Sequence, residues 1–200
     1  IYAVNPNTIV VLISSFPFAI NWTQQNIPAI LHMTHCSQEE GNALGDVLFG
    51  NYNPAGRLVQ TWPKTINDLP DMMDYDITKG RTYMYSNAYP LYEFGFGLSY
   101  TTFEYSNLKI NKATLSKDGE IGVSVDVKNT GKYNGDEVVQ LYVKHVNSKV
   151  ARPNIELKGF KRISIDKGQT KTVDIILKAS NLAWWDENTY AFVVEKDEIH

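Results

Sequence analysis

The sequence predicts a two-part molecule, an α/β segment followed by an all-β antiparallel sandwich. Three observations carry this. Continuous β-branched runs and one well-marked helix fill the first half, while from Phe103 onward apolar residues recur at every second position. Between them lies a stretch, Gly80 to Tyr105, that fits neither period. It holds six of the twelve Tyr and three of the eight Phe, interrupted by Pro90, Gly95 and Gly97.

Asn5 to Ser14 opens with a turn and runs into β-branched apolar residues, the pattern of a strand buried on both faces in a parallel sheet. A polar patch, Asn21 to Asn26, precedes a second such run from Pro28 to Met33. Ser37 and Glu40 then have the spacing of a capping box, in which the Ser hydroxyl bonds a helical amide and the Glu reaches back. The helix expected after it runs to about Phe49, groups Ala43, Leu44, Val47 and Leu48 on one face, and stops at Gly50. One helix and a few strands do not cover both faces of a parallel sheet, so an unpaired edge and exposed apolar surface are expected. Asn51 to Leu58 reads as a turn-rich loop, Val59 to Pro63 as a short edge strand, and Leu69 to Gly80 as irregular.

The aromatic stretch reads as a packed connector, because Tyr and Phe bury much area and Tyr keeps a polar tip for a seam that is partly wet. A loop that fills a core, or a platform for ligand stacking, is the alternative. Beyond it, Ile121, Val123, Val125 and Val127 alternate with polar residues or Gly. Val138 to Val143, Leu157 to Ile165 and Thr172 to Leu177 repeat the theme, with breaks at Asn129-Thr130-Gly131, Asn147-Ser148 and Asp166-Lys167-Gly168. Short strands at this spacing predict a sandwich of immunoglobulin or fibronectin type. Trp184 and Trp185, neighbours on a strand, are expected to face opposite ways.

Composition narrows the function. A net charge of −3 offers no basic stripe for a phosphate backbone, so no nucleic-acid partner is expected. No apolar run is long enough to span a bilayer, so no membrane partner is expected either. Cys36 is the single cysteine, which excludes an internal disulfide and a cysteine-built metal cluster. His32 and His35 stand three apart on an expected strand and so point to opposite faces; no metal and no cofactor is expected. Asn21-Trp22-Thr23 fits a glycosylation acceptor pattern. The chain opens on Ile1 and closes on His200 within a strand-like run, which reads as a piece of a longer protein.

Candidate chemistry rests on carboxylates. Glu39 and Glu40 sit at a helix start, where the dipole and free amides favour the ionised form, which suits capping or accepting from a hydroxyl and not donating a proton. Asp71, Asp74 and Asp76 suit a cation or sugar-hydroxyl site, or simply a solvated loop, since the glycine and remaining ligands of a calcium loop are missing. Glu39, Glu40 and Asp74 are the candidate substrate-binding residues. No nucleophile elbow and no phosphate loop is present.

Several segments also resemble the C-terminal part of three-domain glycoside hydrolase family 3 enzymes, the β-glucosidases and β-xylosidases. These are NPNTIVVL from Asn5, SQEEGNALGDVLFGNYNPAGRL from Ser37, PLYEFGFGLSYTTF from Pro90, and in the β-part VKNTGKYNGDEVVQLYV, RPNIELKGF and LAWWDENT. His35-Cys36 departs from the proline-glycine that many members carry there. The resemblance implies residues 1–89 as the C-terminal part of an α/β sandwich domain, 90–103 as a connector, and 104–200 as a fibronectin type III-like domain lacking its last strand. It implies a retaining exo-acting β-glycosidase, acting on oligosaccharides and located in the periplasm or secreted. The aspartate nucleophile and acid/base glutamate are then expected upstream of Ile1, so no catalytic residue is expected among these 200. A non-catalytic carbohydrate-binding or bracing module is the alternative function.

Overall fold

The computed structural model describes all residues from Ile1 to His200. They divide into two compact units, one of Ile1–Tyr52 with Arg57–Phe96 and one of Asn53–Gly56 with Gly97–His200.

In the first unit β1 (Ile9–Ile13) lies parallel to β2 (Ala29–Met33), in register from Ile9 opposite Ala29 to Ile13 opposite Met33. The β-branched run does form a parallel strand, but Ile9 and Ile13 are about half exposed instead of buried on both faces. A two-stranded sheet cannot cover its own faces. Between the strands the polar patch is a helix, α1 (Asn21–Asn26), whose last turn hands the chain to buried Ile27. The second helix, α2 (Glu40–Leu48), ends at Phe49 with Gly50 at φ 79°. That left-handed backbone favours glycine and closes the helix where the sequence predicts.

Helix α2 begins differently from expectation. Glu39 is the residue before its first turn and no side chain caps it, while the Ser37 carbonyl accepts from the Glu40 amide at 3.1 Å. The chain thus makes a turn over Ser37 to Glu40 before the helix starts, which carries the Ser hydroxyl away from the helical amides. A capping box does form at Thr65 and Asp68, around a single 3-10 turn over Ile66–Asp68. Val59 to Pro63 is not a continuous strand. Leu58 and Trp62 instead exchange isolated backbone bonds with Phe96, Gly95, Tyr92 and Leu91. Trp62, only 1% exposed, is the centre of this unit. It meets His32 and Tyr92 edge-on at 5.0 and 5.8 Å, and Tyr92 stacks on Phe96. A short helix, α3 (Thr82–Tyr85), lies within the aromatic stretch, where the composition predicts none.

The second unit is the antiparallel sandwich. One sheet has the order β3 (Phe103–Ile110), β4 (Glu120–Asn129), β7 (Thr170–Lys178); the other pairs β5 (Gly135–Val143) with β6 (Glu156–Ile165). The alternating residues of the two sheets meet in two clusters. Val127 and Val173 pack with Val139 and Ile165, and Ile121 and Leu177 with Val143 and Leu182. Each such side chain is worth about 1.5–3 kcal/mol when fully buried. The Asp166-Lys167-Gly168 break turns β6 into β7, with Gly168 at φ 78°. A hairpin of β8 (Trp184–Asp186) and β9 (Ala191–Val193) follows, pairing Trp185 with Phe192. Trp184 has its indole Nε1 buried, while Trp185 is half exposed, the opposition expected of strand neighbours.

Candidate functional site

The carboxylates singled out from the sequence fall in separate places. Glu39 accepts from the Asn42 side-chain amide at 2.6 Å. Glu40 is partly buried and keeps Oε1 shielded from water without a hydrogen-bond partner. Asp71, Asp74 and Asp76 do come together, as the frame of one loop. Each accepts from a backbone amide two residues on, at Met73, Asp76 and Thr78. Lys79 closes on Asp74 at 2.7 Å, and the Arg81 guanidinium donates to the carbonyls of Asp71 and Asp74. The bond from Lys79 holds the Asp74 carboxyl below its ordinary range, and that from Thr78 does the same for Asp76. These groups are committed to shaping the loop.

Arg81 also borders a cleft of about 550 Å³ in the first unit, with Thr61, Leu69, Tyr83, Met84 and Phe94 among its walls. Tyr83 lies flat on Phe94, ring centres 4.3 Å apart, and Thr61 Oγ1 is buried without a partner. The cleft is apolar with few polar groups, the character of a small-molecule site, but no carboxyl pair converges on it. Its one acidic lining residue, Asp68, has its Oδ2 bonded to the amides of Lys64 and Thr65. Asn21, the possible glycosylation acceptor, donates its amide to the Lys64 carbonyl at 2.6 Å.

A second polar cluster escaped the sequence reading. Glu195 and Asp197 stand two apart on an extended segment, and the fold brings them to His145, Ser148 and Arg152, more than forty residues away. His145 Nδ1 donates to Asp197 at 2.8 Å, and both side chains are at least 95% buried. Asp197 also accepts from the amides of Asn147 and Glu198, and Glu195 from Ser148, the Lys149 amide and Arg152 at 3.0 Å. The His145, Glu195 and Asp197 ligand atoms lie within 4.8 Å of one another, close enough for a metal. The carboxylate oxygens of both acidic residues already accept bonds, and Arg152 supplies the charge that a cation would bring, while His145 Nε2 is buried without a partner. Glu195 and Asp197 are also a close carboxyl pair, their oxygens within 4.8 Å of one another, and retaining glycosidases work with two carboxyl groups about 5–5.5 Å apart. Burial pushes both carboxyls up, yet the bonds they accept outweigh it and hold both below the ordinary range. Neither is therefore an acid at neutral pH.

The arrangement is a clamp with a pH dependence. A carboxyl whose folded pKa is depressed stabilises the fold above its unfolded value, and that contribution is lost as pH falls through the folded one. Asp126, Asp136, Asp186, Glu195 and Asp197 all shift down. The urea midpoint of the sandwich is expected to hold level from neutral pH to about 4, the unfolded carboxyl range, and to fall below it. Asp197→Asn should flatten part of that fall; a midpoint rising on acidification would contradict the reading.

Comparisons with known proteins agree with this architecture. Residues 1–100 match the family model of the glycosyl hydrolase family 3 C-terminal domain, and residues 137–200 that of a fibronectin type III-like domain. The chain is 42% identical over 173 residues to a β-xylosidase of Formosa agariphila, covering 84% of this chain and 24% of that protein. It is 37% identical over 191 residues to a periplasmic β-glucosidase of Salmonella typhimurium, covering 90% of this chain and 25% of that protein. A crystal structure of β-D-glucoside glucohydrolase from Trichoderma reesei superposes with a TM-score of 0.87 at 30% identity, over 98% of this chain and 32% of that one. The chain spans about a quarter of the length of these curated relatives.

Proposed function

The chain belongs to glycosyl hydrolase family 3, and from that premise we propose that it forms the C-terminal part of a retaining, exo-acting β-glycosidase. The longer protein removes terminal β-linked xylose or glucose from oligosaccharides of plant polysaccharides, outside the cytoplasm. The observation that carries the reading is the unbroken likeness across both units to proteins named for β-xylosidase and β-glucosidase activity. The export reading draws on the periplasmic relative, and no helix here is long and apolar enough to cross a membrane.

Retaining hydrolysis needs a nucleophilic carboxylate and a protonated carboxyl about 5–5.5 Å away. Every carboxyl here with a displaced titration is displaced downward, toward the ionised form. The reacting pair in this proposal comes from the other three quarters of a protein of the relatives' length. Of the three candidate sugar contacts, Glu40 keeps one carboxyl oxygen without a partner, and that oxygen is shielded from solvent in this chain. Asp74 is tied to Lys79, and Glu39 to Asn42.

The test compares two polypeptides on 4-nitrophenyl β-xyloside and β-glucoside. These 200 residues alone are expected to release no nitrophenol, whereas a polypeptide of the relatives' length that carries them should hydrolyse at least one substrate with retention at the anomeric carbon. Turnover by the short chain that disappears in Glu39→Gln or Asp74→Asn would overturn the assignment. A second reading, a sugar-binding role without catalysis, is favoured by the exposed Trp185–Phe192 pair.

A further inference from the structure

The β8–β9 hairpin carries aromatic surface that the sandwich core does not use. Trp185 and Phe192 are cross-strand partners, 48% and 73% exposed, and meet edge to face at 5.3 Å with 71° between their planes. Tyr190, 80% exposed, enters β9 at φ 50°. A bulky aromatic in the left-handed region is a conformational outlier, and such strain collects at ligand-binding sites. A ring that is strained and also faces water contributes nothing to the core that would offset its cost.

The turn between the strands is firmly shaped. Asp186 accepts from the Asn188 amide at 3.0 Å, from the Asn188 side chain at 3.2 Å and from the Thr189 hydroxyl at 2.8 Å. The whole segment from Ala179 to Glu195 contains no Lys or Arg, while Asp186 and Glu187 add negative charge at the turn. Phosphates, nucleic acids and acidic polymers are repelled by such a surface. A neutral polyol is not: its C–H groups suit the electron-rich faces of the rings, and its hydroxyls can donate to the turn carboxylates. The edge-to-face contact holds each ring against the other, so little side-chain freedom remains to be lost on binding.

We propose that the exposed face of this hairpin, built on Trp185, Phe192 and Tyr190 beside the Asp186 turn, is a stacking platform for a neutral β-linked polysaccharide. It holds polymeric substrate near the molecule and takes no part in bond cleavage. The choice of xylan and a soluble cellulose derivative as probes rests on the glycosidase reading above; the platform geometry does not.

The experiment is affinity electrophoresis of the 200-residue chain in native gels containing xylan, hydroxyethyl cellulose or no polymer, with intrinsic tryptophan fluorescence as a second readout. Retardation is expected in at least one polysaccharide gel. Trp185→Ala should weaken it about tenfold. Tyr190→Gly is the sharper variant, because glycine adopts φ 50° without strain. It should leave the melting temperature unchanged or higher while weakening retardation several-fold. Phe160→Ala, which removes an equally exposed ring from β6, should retain wild-type mobility shifts. Absence of retardation in both polymers, as expected if another protein segment covers this face, would overturn the proposal. So would wild-type binding by Trp185→Ala or Tyr190→Gly, or an equal loss in Phe160→Ala. Nitrophenyl glycoside hydrolysis by the longer polypeptide is a separate measurement, so inactivity there with retardation here would sink the enzyme reading and leave the platform standing.

Discussion

Replacing Asn129 by Ala is expected to destabilise the sandwich by at least about 3 kcal/mol, out of roughly 5–15 kcal/mol for a typical domain. Asn129 ends β4, is wholly buried, and uses every hydrogen-bonding position of its side chain. The Oδ1 oxygen accepts from the Thr101 hydroxyl at 2.7 Å and the Gly131 amide at 3.1 Å. The Nδ2 group donates to the carbonyls of Tyr133 at 2.8 Å and Ile165 at 2.9 Å. Truncation takes this partner from the buried Ile165 carbonyl, the part-buried Tyr133 carbonyl, the Gly131 amide and the Thr101 hydroxyl, at about 1–3 kcal/mol for each that water cannot reach. Gly131 is fixed by the same geometry, since a Cβ there would lie 2.6 Å from the Thr102 nitrogen.

Asn129→Asp provides the diagnostic. A carboxylate keeps the two accepted bonds but turns an oxygen toward two carbonyls, so only the protonated form can donate there. Its folded pKa is then raised above the unfolded carboxyl value of about 3.9. The variant should be closest to wild type below that value and lose stability as pH rises through the folded one. Urea titrations at pH 4 and pH 7 measure this. An Ala variant within about 1 kcal/mol of wild type would show that water replaces the network.

Asn129 also shows where sequence reading stops. Asn-Thr-Gly is visible as the end of a strand, because turn residues interrupt an alternation of period two. Its partners at positions 101, 133 and 165 are set by the fold, and nothing local signals them. Asn53 is similar. It reads as one residue of a turn-rich loop, yet it accepts from Ser99 and the Tyr100 amide and donates to the Asn134 carbonyl, within the sandwich unit. The strands β4 to β7 were legible because each carries its burial pattern in its own residues. The start of α2 was not, because Ser37-x-x-Glu40 is compatible with both a capped helix and a turn ahead of one. The capping box that does form uses Asp68 and caps one 3-10 turn, with no apolar run after it to mark it. Of the candidate site residues, the loop role of Asp74 depends on Lys79 close by in sequence. The clamp at Glu195 and Asp197 depends on residues more than forty positions distant, so only the former could be anticipated.

Trp62→Ala is expected to have the comparable effect in the first unit, a loss of about 3–5 kcal/mol, the usual range for removing a large buried aromatic. The reason is that this unit has few other wholly buried apolar side chains to share the load, with Ile27 the next. The indole sets the edge-on contacts with His32 of β2 and Tyr92. The Trp62 backbone pins the segment after it, accepting from Leu91 at 2.7 Å and donating to Tyr92 at 2.9 Å. Loss of the ring leaves a cavity between a strand and an irregular loop pair. The strand can relax little because β1 and β2 hold it in register, so the loop pair should give way first. Hydrogen exchange should therefore show protection lost at the amides of Trp62, Leu91 and Gly95 before those of β2. In a domain of 60–100 residues, 1 kcal/mol moves Tm by roughly 4–8 °C, so a fall of more than about 10 °C is expected for this unit. Trp62→Phe, which keeps a ring, should lose less than half as much. A Trp62→Ala protein with unchanged Tm and intact protection at Leu91 would mean that the backbone pairing, and not the indole, holds these loops together.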